Sequence, residues 1–144
     1  MVNKLTILML LFSVICFGQE EKRSILKKQP SVKMAIQEIK TGQLKDMYNR
    51  YVPFIVIDAR EKRFKNGYRL PKSLSLSVKS SDAEIAKALK DKEIKLVVYS
   101  SNAICQASTK LVKRLMGLGY KNVFEYKAGI MAWRKVNNNL IREK

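Results

Sequence analysis

Ile94-Lys-Leu-Val-Val-Tyr-Ser-Ser-Asn-Ala-Ile-Cys-Gln-Ala-Ser-Thr-Lys-Leu-Val-Lys-Arg-Leu-Met-Gly-Leu-Gly119 is the stretch from which the fold can be read. Leu96 to Tyr99 form an unbroken apolar and β-branched run, which suits a strand covered on both faces of a parallel sheet. From about Gln106 the period changes: Leu111, Val112, Leu115 and Leu118 make one stripe of a helix. Gly119 stands where a C′ glycine ends such a helix. Asn122-Val-Phe-Glu-Tyr126 then reads as a further strand, completing a parallel βαβ unit. Open α/β sheets place ligands in loops at the carboxyl ends of their strands. The loop in that place runs Ser100, Ser101, Asn102, Ala103, Ile104, Cys105, Gln106, Ala107, Ser108, and its one reactive sulfur is on Cys105.

Working outward, Phe54-Ile-Val-Ile57 is a second buried-strand run, introduced by Pro53 and closed by Asp58-Ala-Arg60. Side chains two apart in a strand share a face, so Asp58 and Arg60 are expected to pair at the strand end. Upstream, Pro30-Ser31 announces a helix carrying Val32, Ala35, Ile36 and Ile39 on one face and broken at Gly42. Leu44, Met47, Tyr48 and Tyr51 mark a second short helix, whose Met and Tyr positions are packing rather than a cofactor site. Gly67 and Pro71 punctuate a loop, and Leu74-Ser-Leu-Ser-Val78 alternates like a half-exposed strand. Ser81-Asp-Ala-Glu84 has capping-box spacing before a helix with Ile85, Ala88 and Leu89 on its apolar face. On the other side, Lys127-Ala-Gly129 makes a turn into a last helix that packs through Ile130, Trp133 and Val136. Asn137 to Asn139 and the charged tail are expected to fray.

The chain has 144 residues, enough for one domain of ordinary size. Lys4, the apolar run Leu5–Phe17 and the small residues Cys16 and Gly18 have the pattern of a signal peptide over 1–18, cut after Gly18. An uncleaved anchor is the competing reading, and the run is short for a membrane span. Residues 19–30 read as a flexible lead-in, and export to a periplasm or beyond follows, with no transmembrane anchor after cleavage. Cleavage leaves Cys105 as the only thiol, either buried and inert or reactive. There is no histidine, which excludes histidine general bases and histidine-ligated metals, and one cysteine cannot build a thiolate zinc site. No metal or cofactor is expected. The 29 Lys and Arg against 12 Asp and Glu give a formal charge of +17 and favour anionic partners. The basic residues are scattered and not interleaved with aromatics, so they read as a solvated surface and no specific nucleic acid is expected.

In order and spacing, several of these segments resemble the rhodanese-like (sulfurtransferase) domain family. Phe54-Ile-Val-Ile-Asp-Ala-Arg60 is similar to its strand ending in Asp-x-Arg, and Gly67-Tyr-Arg-Leu-Pro71 to its Gly-His-Ile-Pro turn. Leu96-Val-Val-Tyr-Ser100 is similar to the strand entering its active-site loop. Leu118-Gly-Tyr-Lys-Asn-Val123 and Ala128-Gly-Ile-Met-Ala-Trp133 are similar to its closing segments. The resemblance implies an α/β rhodanese-like domain over 31–137, with a central, mostly parallel sheet flanked by helices on both faces, and a C-terminal tail at 138–144. It assigns Asp58, Arg60 and Trp133 to the structural motif.

The family's chemistry is a thiol relay: a cysteine at the strand end accepts sulfur as a persulfide and passes it to a nucleophile. Inward backbone N–H groups and a helix N-terminus stabilise the anionic sulfur. Here Ser100 occupies the position of that cysteine, and a hydroxyl cannot carry a transferable sulfane sulfur. The loop is also about two residues longer than the common version and lacks its arginine before Ser108, resembling a subgroup that reads Cys-x-x-x-x-Cys-x-Ala-Ser. A related phosphatase or arsenate reductase would show Cys, five residues and Arg, and both defining residues are missing.

Two functional readings compete. In the first, the domain lacks standard thiosulfate sulfurtransferase activity and keeps Ser100–Ser108 as a cradle for a small sulfur-containing anion or a protein partner. In the second, Cys105 is the working thiol of a sulfurtransferase or persulfide carrier, activated by helix-end N–H groups and Lys110. A basic surface-binding protein is a further alternative, and Cys105 packed inertly under the loop is the bland one.

Overall fold

The computed structural model describes residues 35–136 and 139–142. The signal-peptide, lead-in and first-helix expectations up to residue 34 therefore lie outside the described residues. In chain order the elements are β1 (Gln37–Glu38), α1 (Thr41–Asn49), β2 (Phe54–Asp58), a short 3₁₀ turn (Lys62–Phe64), β3 (Tyr68–Arg69) and β4 (Leu74–Ser75). They continue with α2 (Asp82–Ala88), β5 (Lys95–Tyr99), α3 (Ala107–Gly117), β6 (Val123–Tyr126), α4 (Gly129–Val136) and β7 (Ile141–Arg142).

Five strands form one parallel sheet in the order β1-β6-β5-β2-β4. The central strand β5 pairs with β2 from Phe54↔Lys95 to Asp58↔Tyr99 and with β6 from Leu96↔Val123 to Tyr99↔Tyr126. It is covered on both faces, which is why its sequence is continuously apolar. Leu96 and Val98 point into a core with Ile85 and Leu89 at α2 and Leu111, Val112 and Leu115 of α3. Val97 and Tyr99 point the other way, into a core with Leu44 and Met47 of α1 and Ile130 and Trp133 of α4. The α/β architecture with helices on both faces is as the sequence predicts.

Local signals set the helix ends. Gly119, at φ +88°, closes α3: its N–H donates to Met116 O (3.0 Å) and the Tyr120 N–H to Leu115 O (3.1 Å), the paired bonds of a Schellman stop. At α2, Ser81 Oγ accepts from the Glu84 N–H (3.2 Å) while Glu84 Oε2 accepts from the Ser81 N–H (2.6 Å), the reciprocal capping box.

Five local expectations are corrected. The helix expected up to Gly42 is absent over its described part: Gln37–Glu38 pair with β6, and α1 begins at Thr41 and contains Gly42. The open edge of β6 takes up these backbone groups, with the Ile39 N–H donating to Glu125 O at 2.9 Å, and this outweighs the local apolar period. Tyr51 lies beyond α1 at φ +54° and is 88% exposed. The strand over Leu74–Val78 stops at Ser75, because Ser77 and Ser80 close a turn through both the Ser80 N–H and the Ser80 hydroxyl. Ala88 and Val136 face solvent; Ile85 and Leu89, and Ile130 and Trp133, carry those helices' packing. In the tail, Ile141–Arg142 pair antiparallel with Tyr68–Arg69 as β7.

Candidate functional site

Ser100 follows β5 directly and is fully buried. The loop after it is shaped from behind by the start of α4. The Ile130 N–H donates to Ser100 O (2.9 Å) and the Met131 N–H to Ser101 O (3.1 Å). A trans peptide points its C=O and N–H in opposite directions, so a Ser100 carbonyl held by α4 turns the Ser101 N–H to the loop interior. Gly129 makes this approach possible. It sits at φ +69°, and a Cβ there would lie 2.6 Å from Ser100 O and 2.8 Å from Asn102 N.

Asn102 fixes the outer half of the loop. Its Oδ1 accepts from the N–H groups of Ile104 and Cys105, each at 3.1 Å, and its carbonyl accepts from the Cys105 N–H at 3.2 Å. Cys105 is half-buried and unpaired with another cysteine. Burial pushes its thiol up. The Ala107 N–H at the start of α3, the Ser100 hydroxyl, the Ser101 N–H and the Lys127 charge together outweigh burial and hold the thiol below its ordinary value. These groups belong to the loop and helix start that the sequence singled out. Ala103 and Ile104 form its exposed rim, Ile104 at 86% exposure, and Gln106 is also exposed.

From Ser100 at the end of β5 a polar network runs on to join α3 to β6. Ser100 Oγ is 3.2 Å from Ser108 Oγ, and Ser108 Oγ donates to Glu125 Oε1 at 2.7 Å. Thr109 Oγ1 donates to the same carboxylate oxygen at 2.7 Å. Lys127 Nζ donates to Thr109 Oγ1 (2.9 Å) and stands 3.5 Å from Glu125 Oε1. Glu125 is 5% exposed.

Asp58 and Arg60 form the expected strand-end pair. Arg60 Nε donates to Asp58 Oδ1 (2.9 Å) and a terminal guanidinium nitrogen to Oδ2 (2.7 Å), with both side chains buried. The same terminal nitrogen donates to Tyr68 O at 2.6 Å, and the guanidinium lies 5.9 Å from the Tyr99 ring centroid. The pair braces the loops beside β5 and does not touch the thiol. Trp133 packs against Tyr48 and Tyr126 and donates to Asn139 O at 3.2 Å, an anchor as expected. At the same carboxyl edge of the sheet, past β2 and β4, Lys62, Arg63, Lys65 and Lys79 line a hollow of about 460 Å³.

Of the residues the sequence brought forward, the structure joins Ser100 to Ser108 and fixes Cys105 in the same loop through Asn102. It assigned the activating charge to Lys110, which is exposed on α3; the charge that acts is on Lys127. Glu125 gained no role from the sequence, and Gly129 only that of a turn residue before the last helix. A carboxylate inside the buried run Val123–Tyr126 was the available signal for Glu125.

A family model described as the rhodanese-like domain matches residues 40–136. Among solved structures, the chain is similar to the BH2092 protein from Bacillus halodurans, at 25% identity over 74% of this chain and 77% of that one, with a TM-score of 0.66. It is similar to the Alr3790 protein from Anabaena sp. at 18% identity, over 72% of this chain and 80% of that one, with a TM-score of 0.63. A thiosulfate sulfurtransferase from Pseudomonas aeruginosa shares 14% identity, covering 76% of this chain and 21% of that one, with a TM-score of 0.59, a likeness of fold. A comparison with curated protein sequences finds no match.

Proposed function

The chain belongs to the rhodanese-like domain family, and we propose that it works as a sulfur carrier whose thiol is Cys105 rather than a residue at the strand end. The observation that supports this reading is the place of Cys105, held by its N–H on Asn102 just before α3 in the loop that follows β5, where the Ala107 and Ser101 N–H groups, the Ser100 hydroxyl and the Lys127 charge together hold its thiol below the ordinary value. Donors of this kind stabilise a thiolate, and equally the terminal sulfur of a persulfide. In the competing reading, an external anion takes those donors; in this one they act on the Cys105 sulfur.

The step balances without a cofactor. The Cys105 thiolate attacks the outer sulfur of thiosulfate, a new S–S bond forms, the donor's S–S bond breaks, and its electron pair leaves with sulfite. An acceptor thiolate then attacks the outer sulfur of the persulfide and frees Cys105. The hollow lined by Lys62, Arg63, Lys65 and Lys79 also holds Glu61, which pairs with Arg63 and Lys79, and the excess of cations that it keeps supports an anionic donor. Exposed Ile104 and Met131 beside the loop support a protein as acceptor.

Incubating Cys16→Ser protein with thiosulfate or polysulfide and weighing it intact tests the proposal. One added sulfur atom, lost in the Cys105→Ser background, is expected. No adduct would leave the non-catalytic cradle as the better reading. Export with a cut after Gly18 belongs to the same proposal, supported by the Lys4 to Gly18 pattern. Amino-terminal sequencing of the chain from an envelope fraction should begin at Gln19, and an intact Met1 would refute the cut.

A further inference from the structure

Two short segments carry chemistry that the Cys105 loop does not use. They are Glu61-Lys-Arg-Phe-Lys65, around the 3₁₀ turn, and Ser75-Leu-Ser-Val-Lys-Ser80, which runs from the end of β4 towards α2. The parallel pairing of β2 with β4 brings them to the same edge, since each follows the carboxyl end of its strand. Both segments line the hollow of about 460 Å³, and no residue of the Ser100–Ser108 loop does.

The polar lining consists almost wholly of donors. Arg60 is committed to the fold, because its guanidinium donates to Asp58, Asn66 Oδ1 and Tyr68 O. The other cations are Lys62, Arg63, Lys65 and Lys79, and Glu61 is the one carboxylate among them. Glu61 Oε2 lies 2.9 Å from Lys79 Nζ and 3.5 Å from Arg63 Nε, while the Lys79 and Arg63 side chains each stay 71% exposed. A single carboxylate thus links the two segments and balances only part of their charge. Lys62 is exposed and has no acidic partner among the described residues. Three serines add hydroxyls. Ser75 Oγ accepts from Lys65 Nζ, Ser77 Oγ from the Lys79 N–H (3.2 Å) and Ser80 Oγ from the Ser77 N–H (3.2 Å). A hydroxyl has a proton to give as well as lone pairs, and among the described residues none of these three donates to a protein acceptor.

Ammonium groups and hydroxyls are point donors that suit tetrahedral phosphoryl oxygens, whereas planar carboxylates are met best by arginine forks. The volume falls within the range of about 300–1,000 Å³ usual for small-molecule sites, more than a lone oxyanion fills. Leu76 is the one apolar residue of the lining and no aromatic residue belongs to it, so a nucleobase has nothing to stack on. We propose that this hollow is a binding site for a small, non-aromatic compound with two or more phosphoryl groups, held by Lys62, Arg63, Lys79 and the serine hydroxyls. Glu61 orients Lys79 and Arg63 and is the one lining group that repels such a ligand. The site goes beyond the sulfur-carrier reading and does not rest on it.

Calorimetric titration of the full chain with inorganic triphosphate tests the site, at about 0.15 M salt, where attraction between exposed charges is screened beyond roughly 8 Å. Saturation at one triphosphate per chain is expected. Lys62→Gln combined with Lys79→Gln should weaken binding on the order of tenfold or more. Lys110→Gln combined with Lys113→Gln removes the same charge from the exposed face of α3 and should leave the affinity within about twofold. Ser75→Ala takes away a hydroxyl and no charge, and should weaken binding several-fold. Glu61→Gln should tighten binding, a change that a damaged fold does not produce. Equal losses from the two lysine pairs, an unchanged affinity in Ser75→Ala or weaker binding in Glu61→Gln would overturn the site and leave only the general field of a basic chain. Displacement of triphosphate by a lower concentration of hexaglutamate peptide would also overturn it, in favour of an acidic segment of a partner protein.

Discussion

Ser100 contributes a single hydroxyl to the sulfur, so Ser100→Ala is the smallest change that probes the loop. It removes a donor that holds the Cys105 thiol low and leaves the Ala107 and Ser101 N–H groups in place. The alkylation midpoint of Cys105 is therefore expected to rise while staying below that of the unfolded chain, as read by peptide mass at a series of pH values. A midpoint that does not move would mean that the hydroxyl plays no part. At this scale Cys105 and Ser108 were legible because they lie within one contiguous loop and helix start. Glu125 and Lys127 were not, because their approach to Ser108 and Thr109 depends on how α3 lies on β6, and no local spacing reports that. Lys110 was the natural choice on sequence distance; its place on the outer face of α3 removes it.

Among the elements, α4 does the most for the site. Its first residue, Gly129, meets the backbone of Ser100 to Asn102, and its first N–H groups hold the carbonyls of Ser100 and Ser101. Gly129→Ala places a Cβ 2.6 Å from Ser100 O at a left-handed φ of +69°. The conformation alone costs about 1–3 kcal/mol, before the clash with backbone is counted. A lower urea midpoint is expected together with a raised Cys105 alkylation midpoint, since the Ser101 N–H turns with its peptide. Lost stability with unchanged Cys105 reactivity would show that the loop holds its shape without α4. The β5–α3–β6 unit was legible because burial on both faces removes alternation from β5, and because Gly119 ends α3 by a mechanism local in sequence. β1 was not legible: a two-residue edge strand carries no period of its own and exists because β6 offers unpaired backbone.

The described residues form a sheet between two cores, and the face built by α1 and α4 connects distant packing to the loop that carries the thiol. Trp133 is 1% exposed and anchors α4 through Tyr48 and Tyr126. Trp133→Ala should cost about 3–5 kcal/mol of stability. Because α4 also holds the loop, the same variant should weaken the depression of the Cys105 thiol; a large stability loss with the thiol unchanged would separate core from site. The overall class was readable because each buried strand and amphipathic helix repeats one signal, whereas the β3–β7 pair joins segments too short to show any. The most direct test of the account is the Cys105 alkylation midpoint in folded Cys16→Ser protein, compared with the same protein unfolded in urea. A lower midpoint in the folded chain is predicted, because the loop donors and Lys127 favour the thiolate; a folded midpoint equal to or above the unfolded one would contradict it.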